Sequence, residues 1–208
     1  MLPSYPPKTN PTPNFFSTHS VILPVNLQTA YKVLGTGEGH NRVCGLSKLC
    51  VGSEINEKDE VTLPVPDYPE GKSLGEVSVR TAPTKTVSDF KGRTFARQQF
   101  FLEEAIPIFF GLFTKRVQIV GTLTWDESVV SSSSASDDSP VEALYESRAD
   151  AGGVFVWKLR TFDKVDGEPN KTRVTERIEG RASPRLLHFV QSAVTTAHRW
   201  VARYFHYQ

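Results

Sequence analysis

The sequence predicts an α+β domain in which a curved antiparallel sheet of six to seven strands wraps around a long C-terminal helix. Two observations carry this prediction. Apolar and polar residues alternate in repeated short segments over residues 95–179, and apolar residues recur at helical spacing over residues 183–205. The apolar face of such a sheet needs a cover, and the terminal helix is the one long element that can provide it.

The chain of 208 residues suits one domain with a sizeable core. Five prolines interrupt residues 1–14, and because proline removes a backbone donor and fixes φ, we expect a flexible arm there. A single domain is then predicted over residues 15–208.

The domain begins with a strand over residues 15–23, where apolar residues alternate with polar ones. Asn26 is a good N-cap for a short helix over residues 27–34. Gly35 stands where a left-handed C-cap belongs. The glycine-rich run that follows, residues 35–39, is predicted to be a turn.

The region between this turn and residue 95 has a weaker pattern. Residues 43–51 fit either a helical turn or a short strand, and residues 61–65 fit a strand. Val77 and Val79 fit one more strand, which a polar linker over residues 81–94 would follow.

The second half of the chain carries the clearer strand pattern. Five further strands are predicted, over residues 97–106, 117–125, 143–148, 154–162 and 172–179. A serine-rich run falls within residues 128–140, and its low complexity predicts a mobile loop. The final helix begins at the Ser183-Pro184 pair, a cap followed by a residue suited to the first turn.

Composition narrows the possible functions. The formal net charge is +1, which argues against nucleic acid as a partner. The longest apolar run, residues 105–113, is too short to cross a bilayer. Since residues 1–14 lack the apolar segment of a secretory signal, we expect a cytoplasmic protein whose Cys44 and Cys50 are reduced.

No metal or other cofactor is expected. Cys44 and Cys50 have only His40 nearby, and the terminal-helix histidines lack the i, i+4 spacing of a helical metal site. The glycine run at residues 35–39 follows a helix, whereas a phosphate-binding loop follows a strand.

Five short segments resemble segments in the sequences of a group of small fungal proteins: FARQQFFLEE (95–104), GTLTWDE (121–127), LYES (144–147), VWKLRTF (156–162) and VTERIEG (174–180). The order of elements resembles the helix-grip fold of the START-like superfamily, which includes lipid-transfer domains, the birch-pollen allergen family and aromatic polyketide cyclases. The resemblance implies an internal cavity for a hydrophobic small molecule, with or without catalysis.

Glu176 is the leading candidate for catalysis. It shares the strand phase of Val174 and Ile178, so we expect its carboxylate to face the helix and the cavity. A buried carboxylate must be paired or protonated, and it can serve as a general acid or base. The alternative is a structural ion pair with an arginine of a neighbouring strand.

Glu104 and Tyr145 complete the predicted catalytic set. Glu104 shares the phase of Phe100 and Leu102, although it could instead end its strand in solvent beside Arg97 or Lys115. Tyr145 carries a hydroxyl that could orient a carbonyl group of a ligand.

Apolar and aromatic residues on the predicted inner phases are candidates for the cavity wall, with plain core packing as the alternative. The predicted substrate-binding residues are His19, Phe100, Leu102, Trp125, Phe155, Trp157, Val190 and Val194. For the β-strand around Trp157, this assignment points Lys158 away from the cavity.

These features predict binding of a hydrophobic, polyketide- or terpenoid-like molecule, with cofactor-free cyclisation, pericyclic closure or dehydration in secondary metabolism. Holding the substrate in a reactive shape would supply part of the rate, and a Glu or Tyr hydrogen bond would polarise a carbonyl. A passive lipid or sterol carrier or sensor is the main alternative, and an interaction module with a solid core is a third.

Overall fold

In a computed structural model, the described residues are 12–45, 47, 49–64, 74, 79–80, 82, 92–108, 113–131, 140–150, 153–192 and 194–195. They form an α+β protein with a seven-stranded antiparallel sheet, as predicted. The strands are β1 (Phe15–Leu23), β2 (Cys50–Pro64), β3 (Gly92–Ile108), β4 (Phe113–Trp125), β5 (Val141–Ala149), β6 (Phe155–Val165) and β7 (Glu168–Arg181). The helices are α1 (Leu27–Leu34), α2 (Gly37–Gly45) and α3 (Glu127–Ser131).

The sheet order is β1-β7-β6-β5-β4-β3-β2. Strands β2 to β7 are therefore each beside the next strand in the chain, and β1 closes the series by pairing with β7. Residues paired directly across antiparallel strands project from the same face of a sheet, so the register assigns every strand side chain to a face.

The inner face of the sheet is the face that packs against α1 and α2. Its core joins Leu27, Tyr31 and Leu34 of α1 to residues of six strands. The strand members of this core are Leu23, Ala96, Phe100, Leu102, Leu123, Trp125, Ala143, Tyr145, Phe162 and Val174.

The outer face is the opposite one, and it is also covered. Leu74, Val79 and Ala82, from the connection between β2 and β3, pack with strand residues there. The strand members of this second core are Val61, Leu63, Phe95 and Leu144, with Leu159 at its margin. Val79 lies outside any strand, so the predicted strand through Val79 is wrong there, and Val77 lies outside the described residues.

The first helix follows the prediction closely. The Asn26 side chain accepts a hydrogen bond from the Thr29 backbone N–H at 2.9 Å, and the predicted apolar stripe is buried. Gly35, however, has φ −98°, so it ends the helix in the right-handed region rather than the left-handed one.

The glycine-rich run is not simply a turn, because α2 begins within it at Gly37. The Thr36 hydroxyl accepts a hydrogen bond from the Gly39 backbone N–H at 3.3 Å. A Cβ at Gly39 would lie 1.9 Å from the Val33 carbonyl oxygen. Glycine at this position lets α2 pack directly against α1.

Several boundaries differ from the predictions. β2 is one strand of 15 residues through a polar segment, and β3 begins at Gly92, inside the predicted linker. α3 occupies the start of the predicted loop at residues 128–140, and residues 132–139 of that loop lie outside the described residues. Asn14, at the end of the predicted flexible arm, exchanges hydrogen bonds with the Ala182 backbone.

Residues 187–192 and 194–195 are helical, so the terminal helix begins three residues after the predicted start. Leu187, Val190 and Val194 pack against Phe15 and Ile178 on the inner face. The rest of the predicted long helix lies outside the described residues and stays a prediction. Among the described residues, no helix is both long and apolar enough to cross a bilayer.

Candidate functional site

A group of charged and polar side chains lies within the inner face, beside α2. We call it the inner cluster, and its members are His40, Tyr145, Lys158, Arg160 and Glu176. Three adjacent strands supply four of these residues, because the register of β5, β6 and β7 projects them from one face. α2 supplies His40 from above.

His40 is held between aromatic rings. Its ring centroid is 4.9 Å from that of Phe100 and 5.1 Å from that of Tyr145. Phe100 and Tyr145 are themselves stacked, with centroids 5.1 Å apart. A Cβ at Gly121 would lie 2.4 Å from Phe100 Cζ, so the glycine of β4 makes room for this ring.

Arg160 and Glu176 form a buried ion pair across β6 and β7. The Arg160 Nε donates to Glu176 Oε1 at 2.7 Å, and both side chains are at least nine-tenths buried. Arg160 also donates to the Leu34 carbonyl oxygen at the end of α1. The structural alternative for Glu176, an ion pair with an arginine of a neighbouring strand, is the one that this geometry supports.

Lys158 completes the charged row on β6. Its Nζ lies 3.7 Å from Glu176 Oε1, a longer contact than that of Arg160, and 4.8 Å from the centroid of the Tyr145 ring. The Lys158 side chain is 18% exposed. Most of the side chain is therefore desolvated.

Burial changes the proton affinity of the inner cluster. It lowers the pKa of His40 well below 6.5, and the cations Lys158 and Arg160 lower it further while Glu176 opposes them. Burial also lowers the pKa of Lys158, which Glu176 raises and Arg160 lowers. His40 is therefore a neutral imidazole near neutral pH, and it can accept a hydrogen bond more readily than it can accept a proton.

Glu104 and Tyr145 hold their protons more firmly than usual. Burial raises the pKa of the Glu104 carboxyl, and Lys158 opposes this effect. Burial also raises the pKa of Tyr145, and a hydrogen bond with Ser147 lowers it to a smaller extent. Tyr145 is thus suited to donate a hydrogen bond to a ligand oxygen on the inner face, and Glu104 takes up a proton more readily than an ordinary glutamate does.

Cys44 lies next to His40 but lacks the character of a nucleophile. Its Sγ is 3.3 Å from His40 Nε2, a contact that suggests a cysteine–histidine pair. Burial, however, raises the pKa of the Cys44 thiol to about 11, and reactive cysteines need a lowered pKa. Cys44 and Cys50 are both free thiols.

The structure brings most of the predicted site residues to the inner face. Phe100, Leu102 and Trp125 are buried in its core with Tyr145. His19 is paired in register with Glu176. Val190 and Val194 pack near the β1 edge, in a cluster separate from the one that holds Tyr145.

The assignment of Phe155 and Trp157 to the same wall is wrong. Trp157 pairs in register with Glu146, whereas Lys158 pairs with Tyr145, so Trp157 projects from the outer face. Phe155 lies parallel to Trp157, with ring centroids 6.1 Å apart. The alternation in β6 was misassigned because both faces of the sheet are covered, so apolar residues do not distinguish inner from outer.

Sequence reasoning missed His40, Lys158 and Arg160. The i, i+4 spacing of His40 and Cys44 was the signal for the first, because it places both on one side of a helix. The signal for Lys158 and Arg160 was their strand phase. Both alternate in step with Phe162, which is buried.

Within the described residues, no group of three or more His, Cys, Asp and Glu side chains is arranged to hold a metal ion. No protein-family model matches the chain. No curated protein matches it significantly.

Proposed function

We propose that this chain is a helix-grip domain that binds a hydrophobic small molecule on the inner face of its sheet and promotes a cofactor-free reaction of it. The reaction class is cyclisation, pericyclic closure or dehydration of a polyketide- or terpenoid-like molecule. The observation that carries the proposal is the inner cluster, in which groups able to donate and accept protons adjoin the Phe100 and Tyr145 rings.

The topology supports the helix-grip part of the proposal. Two helices separate β1 from β2, and a helix that follows β7 packs on the inner face at Phe15 and Ile178. In this arrangement the terminal helix and the sheet enclose the ligand. The hollow between them remains a prediction, since residues 196–208 lie outside the described residues.

Each group has a role in the proposed chemistry. Tyr145 donates a hydrogen bond to a carbonyl oxygen of the ligand, Glu104 exchanges a proton with the ligand, and the neutral His40 accepts a hydrogen bond. Glu176 positions Arg160, which in turn is tied to the end of α1. The aromatic rings bind the apolar body of the ligand and stabilise positive charge that develops on it.

The first test asks whether a ligand is present. Protein purified from its own host is analysed by native mass spectrometry, and binding of 8-anilinonaphthalene-1-sulfonate is followed by fluorescence. We expect a co-purified lipophile, and a fluorescence rise that the extracted lipophile reverses. If neither a lipophile nor probe binding is found, the proposal fails.

The second test separates catalysis from carriage. The extracted lipophile, or a precursor of it, is incubated with wild type, Tyr145→Phe and Glu104→Gln. We expect conversion by wild type and a loss of about 10²-fold or more in each variant. Glu103→Gln is the matched control, because Glu103 is the preceding residue and projects from the other face, where it pairs with Arg116. Return of the molecule unchanged from wild type would make the protein a carrier.

A further inference from the structure

We propose that Lys158 is an amine nucleophile that binds a ligand aldehyde or ketone as a Schiff base. The inference rests on the proposed function, since it names the substrate class of the same site. Its basis is the position of the Lys158 amine, which lies among the rings and charges of the inner cluster and is partly exposed.

The neighbours of Lys158 suit this role. Lysines become nucleophilic when they are desolvated or placed next to another cation. Arg160 is two residues along the same strand and projects from the same face. Arg160 is also closer to the carboxylate that the two cations share. Its Nε lies 2.7 Å from Glu176 Oε1, whereas the Lys158 Nζ lies 3.7 Å from the same oxygen. Glu176 therefore contacts Arg160 more closely than Lys158, and its effect in raising the pKa of Lys158 is opposed by Arg160 and outweighed by burial.

Lys158 also differs from the other lysines. Lysines elsewhere in the described ranges, at positions 32, 58, 115, 164 and 171, are exposed. An exposed lysine lacks the desolvation that makes an amine nucleophilic. Burial also lowers the pKa of Lys158. A lower pKa increases the fraction of the amine that is unprotonated and able to react.

The covalent step balances without an oxidant or a reductant. The Nζ lone pair forms a bond to the carbonyl carbon, and the π electrons of the C=O bond move to oxygen. The carbinolamine then loses its oxygen as water, with protons that come from the amine and from a donor such as Glu104. The resulting iminium draws electrons from the adjacent carbon, so that a proton can pass from that carbon to the Glu104 carboxylate, which gave up its own proton in the preceding step. Hydrolysis after cyclisation restores the lysine.

The experiment is reductive trapping with a defined probe. Wild-type protein is incubated with decanal and sodium cyanoborohydride at neutral pH, and modified lysines are mapped by peptide mass spectrometry. We expect Lys158 to be alkylated about tenfold faster than Lys58, because an alkyl chain held against the Phe100 and Tyr145 rings raises the effective concentration of the aldehyde at Lys158. Butanal, which has little apolar surface, should label Lys158 more weakly than decanal does.

Two variants and one binding measurement make the result decisive. Lys158→Arg keeps the positive charge and should lose the preferential adduct, whereas Lys58→Met should keep it. Uniform labelling of all lysines overturns the inference. If decanal displaces 8-anilinonaphthalene-1-sulfonate but leaves Lys158 unmodified, the ligand site stands and only the Schiff base fails. If the fluorescent probe does not bind wild type, the proposed function fails as well.

Discussion

The two faces of the sheet both bury charged side chains, but they use them differently. On the outer face, Arg97 pairs with Asp59 through two hydrogen bonds and donates to the Val79 and Ala82 carbonyl oxygens. Glu146 accepts hydrogen bonds there from the backbone N–H groups of Val79 and Arg80. These charges hold the β2–β3 connection against the sheet.

On the inner face, the charges mostly contact other side chains, although Arg160 also donates to a backbone carbonyl, that of Leu34. Glu176 is shared by Arg160 and Lys158, and Lys158 lies over an aromatic ring rather than against a backbone carbonyl. The pKa values of His40, Lys158 and Glu104 are shifted by burial. The difference teaches that buried charge alone does not single out a candidate site, and that the shifted pKa values beside aromatic rings are what distinguish the inner face.

Arg97→Met, on the outer face, is the substitution for which we expect the largest loss of stability. Removing the guanidinium removes the buried ion pair with Asp59 and two hydrogen bonds to backbone carbonyls, so we expect a loss of about 3–5 kcal/mol in the free energy of unfolding. Urea denaturation followed by circular dichroism measures it. Arg93→Met is the control, because Arg93 is half exposed in its pair with Asp126, and it should lose about 1 kcal/mol or less. Equal losses would contradict the assigned role of Arg97.

Glu176→Gln tests the inner ion pair. The amide oxygen can still accept from Arg160, but the charge is lost, and we expect the free energy of unfolding to fall by about 2 kcal/mol. Glu179→Gln is the control on the same strand, since Glu179 projects from the other face and its partner Arg177 is exposed. An unchanged stability, together with lost turnover, would instead restore Glu176 as a catalytic acid or base.

The smallest expected effect concerns the pH dependence conferred by His40. Its pKa is lower in the folded state than its ordinary value of 6.5, so the unfolded chain binds more protons below pH 6.5. The stability contribution is therefore complete above pH 6.5 and is lost as pH falls toward the folded-state pKa, by up to about 1.4 kcal/mol per pH unit.

The measurement compares wild type and His40→Gln by urea denaturation from pH 8 to pH 5. The groups that face His40 are Cys44, Tyr145, Lys158, Arg160 and Glu176. The difference between the two proteins should stay constant from pH 8 to pH 7 and then change below pH 6.5 in favour of the variant. A constant difference over the whole range would show that His40 does not resist protonation.

Much of the fold follows from local pattern. Strand β4 was predictable over residues 117–125, since its alternating apolar residues Val117, Leu123 and Trp125 are buried. Helix α1 was predictable for the same kind of reason, as one stripe of its surface is apolar and Asn26 caps it. Such elements have one buried side, and this simplifies the pattern.

The parts that escaped prediction have different physical causes. β2 is an edge strand with polar residues on both sides, and its register shifts between Ile55 and Lys58, so no period-2 pattern is visible. β6 is covered on both faces, so its aromatic residues did not show which face is the inner one, and the prediction chose the wrong face. The contact of His40 with Tyr145 joins residues 105 positions apart, a pairing that depends on the topology of the whole sheet.

The pairing of β1 with β7 has a consequence for how the chain acquires its structure. Phe15 is opposite Gly180 in this ladder. β1 is synthesised early but cannot pair until β7, near the other end of the sequence, has been synthesised. During synthesis at about 5–20 residues per second, β1 is exposed for many seconds with its hydrogen-bonding edge open. Such long-range closure is slow. A partly synthesised chain should accordingly depend on chaperones until β7 has emerged from the ribosome.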